Sequence, residues 1–447
     1  DRITRTPIGQ SHTLSITGGT DKLKLLASIG YFNQPGILLG SQYDRYTSNI
    51  NLSAKLNKSI TNETVVYLSN GVKSGPDVTG LSGAVYSSVR GAPYLGTGFN
   101  TLTDFIVNHL GGIYGSFGSD PLAETQDPKL KESSFELNFN TAFTFRITDH
   151  LNFKVSGGIS KSDSKYKFFY PTSTSSGNLY NGRGGVNTSE YLSWLNENTL
   201  NYTNYFNDLH NVDATLGYSM QKTTNEFYGL EARNFNIQSL GYDALDLGTI
   251  AVNPNSGKSQ SQLASLFGIV RYTFKDRYLL TAQMRADGSS KFPKNRWGYF
   301  PYVGIGWKVN DEPFFANVKK ISTLKLSINY AHTGNESIPP YSSLSRYSPI
   351  PSNRDAEQGL TTALAPLNYG VSDLRWETNI QSNLRLDLGL FNDRILLTTD
   401  VYQKKSKDLL LADEISVVSG YSAVYRNVGD VEVKGLELNL NTQNIKG

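Results

Sequence analysis

The segment Tyr278-Leu-Leu-Thr-Ala-Gln-Met-Arg-Ala-Asp287 has a period of two in its side chains. One set is apolar and the other is mostly polar: Tyr278, Leu280, Ala282, Met284 and Ala286 against Leu279, Thr281, Gln283, Arg285 and Asp287. This alternation predicts a β-strand with one apolar and one polar face. A tilted strand crosses a bilayer with about 9–11 residues, so the segment is long enough to span a membrane.

The next two segments, 297–309 and 324–332, repeat the pattern. In the first, apolar side chains alternate with Gly304, Gly306 and Lys308: the apolar set is Tyr299, Val303, Ile305, Trp307 and Val309. In the second, one set is apolar and the other polar: Leu324, Leu326, Ile328 and Tyr330 against Lys325, Ser327 and Asn329. Consecutive amphipathic strands of this length predict an antiparallel meander.

Composition favours a barrel over a soluble core. The chain has 447 residues, of which 38% are hydrophobic and 12% aromatic, with 27 tyrosines. Few aliphatic residues beside many aromatic ones are typical of a large barrel with a wet interior and aromatic girdles. A formal net charge of +3 indicates no nucleic-acid footprint, and the absence of cysteine excludes disulfides. The sequence contains no run of about 18 apolar residues, so it predicts no transmembrane helix.

The connections between predicted strands alternate in length. Short turns are expected at 18–21, 58–61, 148–149, 207–208, 275–276 and 392–393, and a somewhat longer one at 310–322. Long polar loops are expected at 73–132, 161–196, up to about 260, 334–377 and 403–431. Outer-membrane barrels have this rhythm, whereas both ends of a soluble sandwich face the same solvent.

The strand count predicts an incomplete barrel. We count roughly fifteen strands, while bacterial barrels close with an even number. We therefore expect residues 1–447 to be a β-barrel domain that is incomplete at both ends. The predicted fold class is all-β: part of a transmembrane, antiparallel, up-and-down barrel.

Several runs resemble the SusC/RagA family of TonB-dependent outer-membrane transporters. They include Asp287-Gly-Ser-Ser-Lys-Phe292, Asn295-Arg-Trp-Gly-Tyr-Phe-Pro301, Thr333-Gly-Asn335 and Leu374-Arg-Trp-Glu-Thr378. The resemblance covers most of the chain and is weakest in the long loops. The sequence departs from the family pattern at Val433 and at Ala331-His332, which affects only local turns or rim contacts.

The resemblance implies a barrel of about 22 strands with a plugged lumen. It implies active import of a large nutrient, an oligosaccharide or a peptide, across the outer membrane. The implied partners are a SusD-like surface lipoprotein over the mouth, outer-membrane lipid, and a TonB complex that acts on a region N-terminal to the barrel. It implies no enzymatic activity, no cofactor and no nucleic-acid partner.

Aromatic residues of 297–309 are candidates for a membrane-interface girdle. Trp297, Tyr299, Phe300 and Tyr302 cluster near one end of the predicted strand, and Trp307 lies near the other. Placement at strand ends favours a girdle over a sugar-stacking platform.

Tyrosines of the predicted 334–377 loop are the candidates for ligand or lipoprotein contact. Tyr341, Tyr347 and Tyr369 lie off the predicted strands, and long loops commonly carry binding residues. Packing within the loop is the alternative role for all three.

The sequence offers no pattern for catalysis or metal binding. The Asp287-Gly-Ser-Ser run lacks calcium-loop spacing, and the five histidines lack metal-ligand spacing. No Gly-x-Ser-x-Gly elbow occurs. We therefore predict no catalytic, cofactor or metal residues.

Two other functions are compatible with the residues alone. The first is a passive porin-like or structural outer-membrane barrel, which would lack a TonB box. The second, a soluble secreted carbohydrate-active β-protein, would need paired carboxylates at a groove, whereas the acidic residues here are scattered.

Overall fold

The computed structural model describes residues 3–76, 121–352 and 361–445, which are mostly β-strand. The strands are β1 (Gln10–Gly19), β2 (Leu23–Pro35), β3 (Gln42–Lys55), β4 (Ile60–Ser74), β5 (Lys129–Arg146), β6 (Leu151–Tyr170), β7 (Arg183–Phe206), β8 (His210–Phe235), β9 (Gly248–Phe274), β10 (Tyr278–Ser289), β11 (Trp297–Lys308), β12 (Ile321–Asn335), β13 (Arg346–Ser352), β14 (Thr361–Asn368), β15 (Glu377–Leu390), β16 (Ile395–Lys407), β17 (Leu410–Glu414), β18 (Ala423–Asn427) and β19 (Val431–Thr442).

Fifteen of these strands form one antiparallel sheet. Its order follows the chain from β1 to β12 and continues through β15, β16 and β19. The other four strands form two small hairpins, β13–β14 and β17–β18. The count of the main sheet confirms the predicted meander of about fifteen strands, and the two hairpins were not predicted. Among the described residues, β1 and β19 are the two edges of the sheet.

Helical structure is minor in the described ranges. There, two short helices, α1 (Pro121–Gln126) and α2 (Ser175–Leu179), lie in connections. Five 3-10 turns span Gly241–Asp243, Leu245–Leu247, Val309–Asp311, Pro313–Phe315 and Val417–Ser419. None of the helices in the described part of the chain is both long and apolar enough to cross a membrane.

The connections divide the sheet into two ends. The tight turns and the longer 309–320 connection lie together at one end, which we call the short-turn end, and the other connections lie at the long-connection end. Two of the tight turns have left-handed backbone at both central residues: Asn207 (φ 48°) with Asp208 (φ 53°), and Lys275 (φ 52°) with Asp276 (φ 52°). Such turns match the twist of the flanking strands, and Asn and Asp tolerate this backbone region.

The burial pattern is inverted relative to a soluble protein. On β10 the apolar side chains are exposed, with Leu280 at 41% and Met284 at 47%, while Asp287 on the opposite face is 8% exposed. The strand pairing extends both faces across the sheet: Met284 lies opposite Pro301, and Arg285 opposite Phe300. We call these the apolar face and the polar face. An exposed apolar face and a polar face turned inward are the pattern of a transmembrane barrel.

Several strands are longer than predicted. β6 has 20 residues, β7 has 24, β8 has 26 and β9 has 27. The loop expected at 161–196 and the one expected to end near 260 are therefore wrong, because most of both is strand. These segments lose apolar alternation since both of their faces are polar beyond the membrane span, yet their backbones continue to pair. The loop expected at 73–132 falls largely on 77–120, outside the described residues.

The division into faces predicts different effects for two neighbouring substitutions on β12. Ile328 is exposed on the apolar face, and Ser327 lies on the polar face. We expect Ile328→Arg to lower the stability of the receptor folded in lipid bilayers by about 2 kcal/mol, because it places a charge against hydrocarbon. Ser327→Arg is the matched control and should change it by under about 1 kcal/mol. Equal effects in urea titrations of the full-length receptor in vesicles would contradict the assignment of the faces.

Candidate functional site

A buried apolar cluster lies at the long-connection end of the sheet. It comprises Phe292, Phe300, Ile338, Leu374 and Trp376, and we call it the rim cluster. Phe292 is fully buried, and Phe300 and Trp376 are 6% and 8% exposed. These residues come from the β10–β11 turn, from β11 and from both ends of the β12–β15 connection. The rim cluster therefore ties that connection to the sheet.

Trp376 is central to the rim cluster. Its ring packs edge-on against Phe300 at 5.4 Å and tilted against Phe292 at 5.5 Å between ring centroids. Its indole Nε1 donates a hydrogen bond to the carbonyl oxygen of Arg296 at 2.8 Å. Ser343 adds a second tie, because its Oγ donates to the carbonyl oxygen of Lys291 at 3.0 Å. The connection is thus held by apolar packing and by satisfied polar groups.

A polar joint links the β12–β15 connection to the β16–β19 connection. The Asn427 side chain accepts from the amide of Arg375 and donates to its carbonyl oxygen, both at 2.9 Å. The Arg375 guanidinium pairs with Asp408 at 2.6 Å. The Glu377 carboxylate accepts from the amide of Leu410 at 3.2 Å. The two connections, each carrying a small hairpin, therefore behave as one unit.

The two hairpins also touch. Tyr369, at the base of the β13–β14 hairpin, packs edge-on against Tyr421, in the β17–β18 loop, at 5.6 Å between ring centroids. The hairpins and their flanks carry a set of exposed apolar side chains that we call the hairpin surface: Tyr347, Leu364, Leu367, Tyr369, Leu411, Val417 and Val418. An exposed apolar set on a rigidly anchored support is the usual form of a protein-binding surface.

The three tyrosines predicted for ligand contact have different surroundings. The Tyr341 hydroxyl accepts a hydrogen bond from the amide of Gln260 at 3.0 Å, and its ring lies 5.8 Å below the Arg346 guanidinium. Tyr347 and Tyr369 are exposed on the hairpin surface. Tyr341 thus joins the connection to β9, and a role in ligand or lipoprotein contact stays a prediction for all three tyrosines.

The aromatic residues of β11 divide between the two faces of the sheet. Trp297 and Tyr299 are exposed on the apolar face, and Trp307 shares that face, opposite Tyr278. Phe300 and Tyr302 lie on the polar face, where Phe300 joins the rim cluster and the Tyr302 hydroxyl donates to Asn329 at 3.0 Å. The girdle assignment is therefore wrong for Phe300 and Tyr302, and stays a prediction for the other three.

The register of β11 explains this error. Phe300 and Tyr302 are an even number of residues from Gly304, so the alternation itself places them on the polar face. Aromatic side chains near a strand end indicate a girdle only when they lie on the apolar face. Phe292, Leu374 and Trp376 were missed as a cluster because they are distant in sequence, although each lies in a run that resembles the family.

A second anchored site on the rim is ionic. The Arg183 guanidinium makes two parallel hydrogen bonds of 2.9 Å to the Glu231 carboxylate. Arg233 donates to the same carboxylate at 2.7 Å and stacks 3.9 Å over the Tyr180 ring. Burial alone would raise the pKa of Glu231, but the hydrogen bonds from both arginines outweigh it and hold that pKa below the ordinary value. Glu231 lies far beyond the part of β8 that could span a membrane.

The polar face of the sheet carries paired charges. Arg285 pairs with Asp287 at 2.7 Å, and Arg385 with Asp387 at 2.9 Å. Arg271 pairs with Asp213 at 3.0 Å. Within the described ranges, no three histidine or acidic side chains come together as a metal site would require. Paired charges on this inward-facing surface are compatible with a water-filled interior.

The fold and its rim define a transmembrane β-barrel of the outer-membrane type. Residues 66–444 match the family described as TonB dependent receptor-like, beta-barrel. The chain therefore belongs to this family, and its likeness to the SusC/RagA group is confirmed.

Individual relatives are consistent with this placement. TonB-dependent receptor P3 of Formosa agariphila is 32% identical over 442 residues, covering 97% of this chain and 43% of the relative. TonB-dependent receptor SusC of Bacteroides thetaiotaomicron is 29% identical over 485 residues, covering 100% of this chain and 46% of SusC. The chain thus spans under half the length of these relatives.

The solved structure of the RagAB peptide transporter shares the fold. Its TM-score is 0.80 at 21% identity, with 100% of this chain and 49% of that chain covered. The unliganded ferric citrate transporter FecA is more distant, with a TM-score of 0.56 at 9% identity.

The rim cluster predicts a strong effect of Trp376→Ala. Removing a buried tryptophan from a packed cluster costs about 3–5 kcal/mol, and the β12–β15 connection should then detach. We expect limited proteolysis of the full-length receptor to cleave within 334–377 much faster than in the unsubstituted protein. Trp297→Ala, at an exposed tryptophan, is the control. Similar cleavage of both variants would show that the rim cluster does not anchor the connection.

The ion triad of Arg183, Glu231 and Arg233 predicts an acid-sensitive rim. Because the pKa of Glu231 is lowered by folding, its contribution to stability is full above the ordinary pKa near 4.5 and is lost as pH falls through the lowered value. We expect protease protection of the rim connections near β7 and β8 to decline below about pH 4.5. Glu231→Gln should remove this dependence, and an unchanged pH profile in that variant would contradict the assignment.

Proposed function

We propose that the chain is part of the membrane-spanning barrel of an outer-membrane importer energised by TonB, which takes up a large nutrient such as an oligosaccharide or a peptide. The main support is the inverted sheet: fifteen antiparallel strands with an exposed apolar face and a polar, ion-paired face. Membership of the TonB-dependent receptor family supports the energy source.

The barrel domain extends, in this proposal, beyond both ends of the described sheet. β1 and β19 present backbone donors and acceptors at the sheet edges, and lipid cannot satisfy these groups. Further strands of the whole receptor would close the sheet toward the family's count of about 22. A plug and a TonB-contacting region would precede the barrel.

The hairpin surface is the proposed seat of a SusD-like lipoprotein. It lies at the long-connection end, which would face outward, and its exposed apolar side chains rest on the rim cluster and the polar joint. Capture of nutrient under the lipoprotein would be followed by TonB-driven displacement of the plug. Tyr347 and Tyr369 are the proposed contact residues.

Uptake by cells that carry the full-length receptor tests this function. We expect uptake of its oligosaccharide or peptide nutrient to need TonB, and Val417→Asp with Val418→Asp to lower uptake and lipoprotein co-purification at least tenfold. Two buried carboxylates in an apolar interface would account for that loss.

Phe314→Asp is the control, because Phe314 is exposed near the short-turn end and should not contact the lipoprotein. Uptake that persists without TonB would support the passive porin instead. Retained co-purification of the Val417/Val418 variant would exclude the hairpin surface as the lipoprotein seat.

A further inference from the structure

A group of lysines lies on the outside of β5 and β6, where the apolar band ends. On β6 the apolar face runs through Leu151, Phe153, Val155 and Ile159 and continues directly into lysines. With the same face of β5 they form a group that we call the lysine patch: Lys129, Lys131, Lys161, Lys165 and Lys167. The tilted span of the preceding apolar residues is about that of a bilayer core, so the patch begins at the headgroup level with Lys161 and extends away from the membrane.

The lysine patch is only partly neutralised. Lys161 pairs with Asp163 at 2.8 Å, and Lys167 pairs with Asp243 at 3.0 Å. Lys129 donates to the carbonyl oxygen of Ser239 at 2.6 Å, which leaves its charge uncompensated. One further carboxylate, Glu190, lies at the margin, opposite Asp163. Five ammonium groups thus face three carboxylates.

Lys131 and Lys165 carry the excess charge. Both are exposed, and neither has an ion-pair or hydrogen-bond partner among the side chains that the structure describes. Lys131 lies directly opposite Lys167, and Lys165 lies diagonally across from it. Like charges at directly opposed positions destabilise a sheet, so an external anion would stabilise this arrangement.

Two lysines elsewhere on the outer face are paired. On β8 and β9, Lys258 contacts Glu226 at 2.5 Å, and on β19, Lys434 contacts Glu432 at 2.9 Å. The lysine patch differs from these isolated ion pairs because it gathers five ammonium groups on two adjacent strands.

We propose that the lysine patch binds the phosphate groups of membrane lipids, with the acyl chains lying against the apolar face below. The inference rests on the membrane placement proposed above. Lysine stems lie along apolar surface while their ammonium groups reach the headgroup layer, which suits a lipid phosphate at the edge of the band. The rival occupant is an acidic segment of a partner protein.

The test compares lipid binding by the full-length receptor and by the double variant Lys131→Gln/Lys165→Gln. The purified proteins are titrated with lipid A and with phosphatidylcholine in detergent, and bound lipid is counted by native mass spectrometry. We expect the double variant to bind lipid A about 10- to 30-fold more weakly, with phosphatidylcholine unchanged. High salt should weaken lipid A binding to the unsubstituted receptor in the same way.

The control variant is Lys24→Gln/Lys154→Gln, which removes two exposed lysines from the polar face. It should bind lipid A as the unsubstituted receptor does. Equal weakening by both double variants, competition by inorganic phosphate at the same phosphate concentration, or salt-independent binding would each overturn the proposal. Loss of an acidic partner protein with unchanged lipid A binding would assign the patch to protein contact.

This outcome is separable from the function proposed above. If the receptor fractionates with the outer membrane and imports its nutrient, but shows no preference for lipid A, only the lipid site is refuted. If it is not found in the membrane, the importer itself is refuted.

Discussion

Pairing of every backbone amide and carbonyl with a neighbouring strand is the constraint on which the rest of this structure depends. Hydrocarbon around the apolar face cannot form hydrogen bonds with backbone amides and carbonyls. The chain must therefore run as a continuous antiparallel sheet in which strands pair with one another. Once the backbone is paired, side chains need only be apolar where a face contacts lipid and polar where it contacts water. This is why Met284 can be exposed while Asp287, three residues away, is nearly buried. The same pairing continues past the membrane span in β7, β8 and β9, where alternation of side chains no longer matters.

The two anchored connections add a defined surface to one end of the sheet. The rim cluster attaches the β12–β15 connection to the sheet by burying Trp376 against two phenylalanines. The polar joint around Asn427 then attaches the β16–β19 connection to the β12–β15 connection. The hairpin surface is therefore presented at a fixed place over the sheet. Rigid support lowers the ordering cost of binding, which would favour the partner contact proposed for this surface.

The outer and inner faces use charge differently. On the polar face, several arginines and aspartates are paired, as in Arg385 with Asp387, so these charges balance one another. On the outer face of β5 and β6, charge begins where the apolar band ends, and at the lysine patch it is unbalanced. A barrel that spans a membrane contacts anionic headgroups at that height. Its outer charges therefore interact with lipid headgroups, whereas its inner charges interact with water and with one another.

The sequence by itself determined the strands, their apolar and polar faces and the tight turns, because these depend on neighbouring residues and on a period of two. Asn207-Asp208 and Lys275-Asp276 were recognisable as turns for the same local reason. Only the tertiary structure decided that Phe292, Phe300 and Trp376 meet, that Asn427 joins two connections, and that β6 to β9 continue far beyond the predicted span. Those outcomes depend on contacts between residues remote in sequence and on backbone pairing, and neither leaves a periodic signal in the side chains.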